Sequence, residues 1–201
     1  MEFFRRVPGP PARLGVFPGT FNPVTVAHLA LAKAALDSVD EVLFVLPREF
    51  PHKRYSGASF EERVEMLCAS LADAPAFSLA ATAGGLFAEI AVECRQAYGE
   101  GVHLSFLCGR DAAERVADWD YGQPDAFAGM LRDFEILVAS RGGDYHPAPH
   151  LRARVRRLEI AAEFQGVSAT EVRRRIALGE PWEHMAPAAV RETVRRIYRF
   201  L

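Results

Sequence analysis

Four groups of side chains in this 201-residue chain have the types and spacing to bind and orient a phosphorylated ligand or its ring and hydroxyl groups. The first is Gly19-Thr20-Phe21-Asn22-Pro23, followed by Thr25 and His28. A glycine turn leading into a helix brings backbone N–H groups and the positive helix end to one point, where an anion is stabilised. Thr25 carries the hydroxyl of a helix N-cap, which puts His28 in the first helical turn. A charged imidazole is disfavoured there, so His28 is expected to be a neutral donor until phosphates arrive. The second group is the segment Pro47 to Tyr55, which holds His52, Lys53, Arg48 and Arg54. The third is Gly109-Arg110-Asp111 with Trp119 further on; Asp111 can accept hydrogen bonds and Trp119 offers a π-face to a ring. The fourth is Ser168, Thr170 and Arg173, where two hydroxyls, the N–H groups of a helical first turn and a guanidinium converge. These groups can position ligands and neutralise charge. No nucleophilic Ser or Cys constellation is visible, so no covalent enzyme intermediate is indicated.

The elements that must position these groups follow from hydrophobic patterning. Leu14, Val16 and Phe17 form a short buried strand, and alanines and leucines at helical spacing follow Thr25. Glu41 to Leu46 is a second buried strand close behind that helix, which makes a parallel crossover unit. Further strands are expected at Phe77–Ala81, Val102–Cys108 and Phe134–Ala139, with a last short one at Leu158–Ala162. Helices are expected over Phe60–Leu71, Leu86–Tyr98, from Ala112, and around Ala126–Leu131. Another opens at Ser168 and a terminal one spans Pro187–Leu201 with Val190, Val194, Ile197 and Leu201 on its apolar stripe. Strands alternating with helices, and chemistry placed after strand ends, imply an α/β fold with a doubly wound parallel sheet. Residues 1–12 contain Pro8, Pro10 and Pro11 and are read as a flexible tail, leaving residues 13–201 as a single domain.

Several of the same residues have a purely structural reading. Asp111 with Glu114 can cap a helix, and Ser168 with Glu171 forms a capping box. A tryptophan between helix and loop is often a core residue. Arg63 and Met66 read as packing with a surface ion pair, and Arg152, Arg154, Arg156 and Arg157 as a solvated face. His146, His150 and Asp144 fit no standard metal spacing, so no protein-held metal is expected.

Composition narrows the partners. The formal net charge is −2, which gives no electrostatic case for nucleic acid. No apolar run is long enough to span a bilayer. The three cysteines, Cys68, Cys94 and Cys108, are widely spaced and lack a CxxC pattern, which suits a reducing cytoplasm. Lys33 and Lys53 are the only lysines and Asn22 the only asparagine; the occurrence of Asn22 and Lys53 in motif positions is a mild sign that those side chains matter, while Lys33 reads as a solvated helix position.

Taken together, the string Gly19 to His28 resembles the fingerprint G-x-F-[D/N]-P-x-[H/T]-x-G-H of a nucleotidyltransferase superfamily with a Rossmann-like fold. Ala27 replaces the usual glycine and Thr25 stands where many members have a first histidine. Val167-Ser168-Ala169-Thr170-x-x-Arg173 resembles the I-S-S-T-x-x-R motif that closes over the triphosphate. Phe50-Pro51-His52-Lys53 resembles the P-P-H-K segment of adenylyltransferases for nicotinate mononucleotide, and Gly109-x-Asp111 with Trp119 points the same way. Arg141-Gly142-Gly143 resembles the family's R-P-G turn.

The resemblance covers nearly all of residues 14–190 and implies adenylyl transfer from ATP, with Mg²⁺, to nicotinate mononucleotide, giving nicotinate adenine dinucleotide and pyrophosphate. It implies ATP and phosphate contacts at Gly19, Thr20, Phe21, Thr25, His28, Gly109, Ser168, Thr170 and Arg173. His28, Lys53 and Arg173 are implied as catalytic, and His52, Lys53, Phe87, Asp111, Trp119 and Arg141 as acceptor-binding. The family's Tyr-Thr pair at the start of the third helix is absent; Phe87 or the Gly84-Gly85 backbone stands in its place. The departure leaves three alternatives open: adenylyl transfer to nicotinamide mononucleotide or phosphopantetheine, cytidylyl transfer, or a nucleotide-binding regulator without turnover. The expected partners are ATP and a mononucleotide, with no nucleic acid and no membrane; a homo-oligomer is compatible with the sequence.

Overall fold

The computed structural model describes residues 1–49, 57–119, 122, 126–139 and 146–199. Seven strands form one sheet: β1 (Glu2–Arg5), β2 (Arg13–Pro18), β3 (Glu41–Pro47), β4 (Phe77–Thr82), β5 (His103–Gly109), β6 (Glu135–Ala139) and β7 (Val155–Leu158). Their order is β1-β4-β3-β2-β5-β6-β7. All neighbours are parallel except β1, which runs antiparallel to β4. The helices are α1 (Val26–Ala35), α2 (Phe60–Leu71), α3 (Phe87–Tyr98), α4 (Arg110–Ala117), α5 (Ala126–Met130), α6 (Ala169–Leu178) and α7 (Arg191–Tyr198).

Side chains that alternate along a strand point to opposite faces, and the two faces become two cores. Phe17, Val42, Phe44, Leu46, Leu79 and Leu107 face α1, α2, α6 and α7. Leu14, Val16, Leu43, Val45, Leu104 and Phe106 face α3 and α4. β3 is buried along its whole length, as a central parallel strand covered on both sides must be. Each fully buried aliphatic side chain contributes about 1.5–3 kcal/mol, so the middle of the sheet is the rigid part. From β2 the chain winds outward through β3 and β4, then returns to β5 on β2's other side. That switch opens a crevice at the carboxyl ends of β2 and β5.

The doubly wound sheet expected from the sequence is present, with four local differences. Residues 2–5, expected in a flexible tail, pair with β4, and Phe3 packs edge-on to Tyr98 at 5.8 Å between ring centroids. The last strand lies earlier than Leu158–Ala162, because Val155 and Leu158 supply the buried positions and Ala162–Phe164 forms a 3₁₀ turn. The terminal helix begins at Arg191 and buries Val194 and Tyr198; Leu201 lies outside the described residues. Asp111 is not a cap: Gly109 takes the N-cap position of α4 without a side-chain bond. Among the described residues no helix is long and apolar enough to cross a membrane.

Candidate active site

The loop after β2 is shaped by close contact. Gly19 N–H continues the β2–β3 ladder by donating to Val45 O at 3.0 Å. The Phe21 ring folds back over Gly19, where a Cβ would stand 2.8 Å from it, so only glycine fits. Phe21 itself has φ of 45° and is buried between Phe17, Phe44 and His28, with centroids 5.4, 5.5 and 5.1 Å away. Its ring therefore belongs to the core and anchors the turn.

α1 starts as expected at Thr25, whose hydroxyl accepts from His28 N–H. His28 returns the bond. Its Nδ1 lies 3.0 Å from Thr25 N and 3.0 Å from Thr25 Oγ1. A backbone N–H can only donate, so Nδ1 is the acceptor and the neutral ring carries its proton on Nε2. Thr25 is fully buried; its place is behind His28 and not on the cleft wall.

α6 begins at Ser168, whose Oγ accepts from Glu171 N–H at 3.0 Å. Only this half of the expected capping box forms. The Glu171 carboxylate turns to Arg174 and Arg175, both at 2.8 Å, and these bonds lower its pKa to about 2. Arg173 donates to Asn22 O and, at 3.4 Å, to Thr170 Oγ1. Arg63 is buried, contrary to its reading as a surface residue, and donates to Thr20 O at 3.2 Å and Ser59 O at 3.2 Å. Buried guanidinium groups on loop carbonyls hold a backbone in one shape.

Opposite stands the α3–α4 side. Phe87 stacks on Phe106, centroids 4.4 Å apart, and is largely buried, so only its edge forms wall. The Glu89 carboxylate accepts from Leu86 N–H at 3.2 Å and closes the first turn of α3. Asp111 is exposed in the first turn of α4, and Trp119 is 36% exposed. Cys108 stands one residue before the end of β5; burial pushes its thiol up to about 12, so it stays protonated at neutral pH.

A cleft of about 460 Å³ joins the two sides. Gly19, Thr20, Phe21, His28, Phe87, Gly109, Asp111, Trp119, Ser168 and Thr170, all expected from the sequence, line it. Thr25 and Arg173 stand immediately behind. His52, Lys53 and Arg141 lie outside the described residues. Arg48, a cation of the loop after β3, pairs with Glu2 and covers the Phe60 ring at 4.5 Å. Arg115 also lines the cleft and was missed. Its signal was available: it follows Asp111 by one helical turn and so shares its face. Among the described residues no group of three His, Cys, Asp or Glu side chains is placed to hold a metal ion.

The N-termini of α1, α4 and α6 meet at a sheet switch point, an arrangement that favours a polyphosphate. Fold and family together make the chain a nucleotidyltransferase. It belongs to the cytidylyltransferase-like family, whose profile matches residues 16–175. A Rubrobacter xylanophilus protein named "probable nicotinate-nucleotide adenylyltransferase" is 31% identical over 93% of this chain and 92% of its own length. A Thermus thermophilus protein of the same name is 29% identical over 93% of this chain and 100% of its own. In fold, the chain matches Plasmodium falciparum nicotinic acid mononucleotide adenylyltransferase complexed with NaAD. The TM-score is 0.72 at 13% identity, covering 92% and 95% of the two chains.

Proposed function

We propose that this protein transfers the adenylyl group of ATP to nicotinate mononucleotide, releasing pyrophosphate and forming nicotinate adenine dinucleotide. The relatives' names support the acceptor. The observation that carries the chemistry is the placement of His28, Ser168 and Thr170 around one cleft with the His28 tautomer set by Thr25.

In this reading a phosphate oxygen of the mononucleotide attacks the α-phosphorus of ATP in line. The new P–O bond forms as the bond to the bridging oxygen breaks, and its electron pair leaves with pyrophosphate. His28 donates its Nε2–H to an α-phosphate oxygen, where negative charge grows. Gly19 and Thr20 hold the same phosphate through their backbone. The α6 N-terminus, with Ser168 and Thr170, faces the β and γ phosphates, and Arg173 fixes that end to the loop. Lys53 adds a cation for the departing pyrophosphate. Asp111 and Trp119 take the acceptor's ribose and ring, with Phe87 at the same wall; His52 and Arg141 are further acceptor contacts that the family resemblance implies. Mg²⁺ comes as MgATP, which suits a cation that keeps few protein ligands. Positioning and charge stabilisation supply the catalysis. The cytoplasm is the proposed compartment, consistent with three free cysteines.

A second reading keeps the donor and changes the acceptor. It is favoured by Gly85-Leu86-Phe87, which line the cleft in place of the family's Tyr-Thr pair. The test is pyrophosphate release with MgATP and, in parallel, nicotinate mononucleotide, nicotinamide mononucleotide and phosphopantetheine. Preference for nicotinate mononucleotide is expected. Preference for another acceptor overturns the substrate, and ATP binding without turnover on any of them points to a regulator.

A further inference from the structure

We propose that Tyr198, in the C-terminal helix, is a positioning residue for the ATP side of the site and acts through Asn22. Asn22 is buried in the loop that carries Gly19 and Thr20. Its Oδ1 accepts from Ala58 N–H at 3.2 Å and from the Tyr198 hydroxyl. Its backbone oxygen accepts from Arg173. One residue of the phosphate loop is thus tied twice to the C-terminal helices, by Arg173 from α6 and Tyr198 from α7. Since α6 also presents Ser168 and Thr170, these ties set the distance between the two parts of the proposed triphosphate site.

The surroundings fit this role. Tyr198 is completely buried, and burial raises its phenol pKa, so the hydroxyl remains a donor. The backbone at Gly57 passes so close that a Cβ there would stand 2.8 Å from the Tyr198 ring and 3.1 Å from Asn22 Oδ1. Gly57 has φ of +106°, a conformation that favours glycine. The ring and amide are therefore held from a third side. The acceptor side hangs on α3 and α4, across the sheet from α7, so a loosened Asn22 acts on one substrate and not on the other.

The inference rests on the ATP-dependent reading of the cleft, and its test separates the two. Tyr198→Phe keeps the ring and removes the hydroxyl, leaving Ala58 N–H on Asn22 Oδ1. Val194→Ala damages the same helix at a buried core residue and removes no hydrogen bond to Asn22. In the 201-residue protein, Tyr198→Phe is expected to raise both the KM for ATP and the calorimetric Kd for MgATP about fivefold, as loss of one hydrogen bond allows. The KM for the acceptor stays unchanged. Val194→Ala lowers Tm at least as much and leaves the KM for ATP unchanged. Gly57→Ala, which presses on the same ring, raises the KM for ATP with Tyr198 intact. An unchanged ATP KM and Kd in Tyr198→Phe, or an equal rise in Val194→Ala, overturns the proposal. Absence of turnover in the unaltered protein instead sinks the enzymatic reading, while MgATP binding still tests Tyr198.

Discussion

The two walls of the cleft are built by different physics. On the wall formed by the loop after β2 and the start of α6 the chain is held by directed bonds: Arg63 to Thr20, Arg173 and Tyr198 to Asn22, and the reciprocal pair Thr25–His28. Most of these bonds are to backbone carbonyls or to a buried amide, so they fix the path of the loop and not just the place of a side chain. On the opposite wall Phe87, Phe106 and Phe134 form a ring cluster, while Asp111 and Trp119 stand in solvent. A polyphosphate needs donors fixed within tenths of an ångström. A flat ring needs a surface, which aromatic packing supplies with looser geometry. The contrast teaches that the wall proposed for the donor is specified by directed bonding and the wall proposed for the acceptor by shape.

The largest effect expected from this contrast is at His28. Replacing it with Ala removes a donor to the reacting phosphate and should lower kcat by about 10²–10³-fold, with Tm little changed. Steady-state pyrophosphate release and a thermal melt check both; full activity in a less stable variant removes His28 from the mechanism.

Trp119→Ala tests the other wall. Loss of a stacking face should raise the acceptor KM about tenfold and leave the ATP KM alone, the reverse of the Tyr198→Phe pattern. If both variants shift the same KM, the division into two walls is wrong.

A smaller effect is expected at Glu171. Its folded pKa of about 2 lies below the ordinary carboxylate value because Arg174 and Arg175 bond it. A lowered folded pKa stabilises above the unfolded value, and that gain fades as pH falls toward the folded one. The Tm difference between the unaltered protein and Glu171→Gln should therefore narrow between about pH 5 and pH 2. It should be small throughout, since these side chains are solvent-screened.

The smallest effect is at Cys108. With its thiol pushed up to about 12, it holds no thiolate to attack phosphorus, so Cys108→Ala should keep kcat within about twofold. A large loss of kcat with unchanged Tm would require a role in the chemistry.

Much of the site was legible because it is local. Glycine turns and N-caps act over a few residues, so Gly19, Thr25, His28 and Ser168 could be placed from spacing alone, and strand alternation gave the sheet. Two local patterns that admit a capping reading are resolved by the structure. Asp111 satisfies the pattern of a capping residue, yet Gly109 caps α4 because β5 runs straight into the helix and leaves Asp111 inside the first turn. Glu171 satisfies the capping-box pattern, yet two arginines on its own helix compete for its carboxylate and win. Residues 2–5 carried Phe3 and Phe4 but no strand signal, because their partner β4 lies more than seventy residues away.

By itself the sequence determined the alternation of strands and helices, the glycine turn after β2 and the histidine in the first turn of a capped helix. These depend on residues within one or two turns of each other. Only the tertiary structure decided that Arg63 is a buried brace. Only it placed Tyr198, separated by 176 positions from Asn22, against the loop that follows β2. Such contacts arise when the sheet brings distant helices onto one face, and no local spacing encodes that.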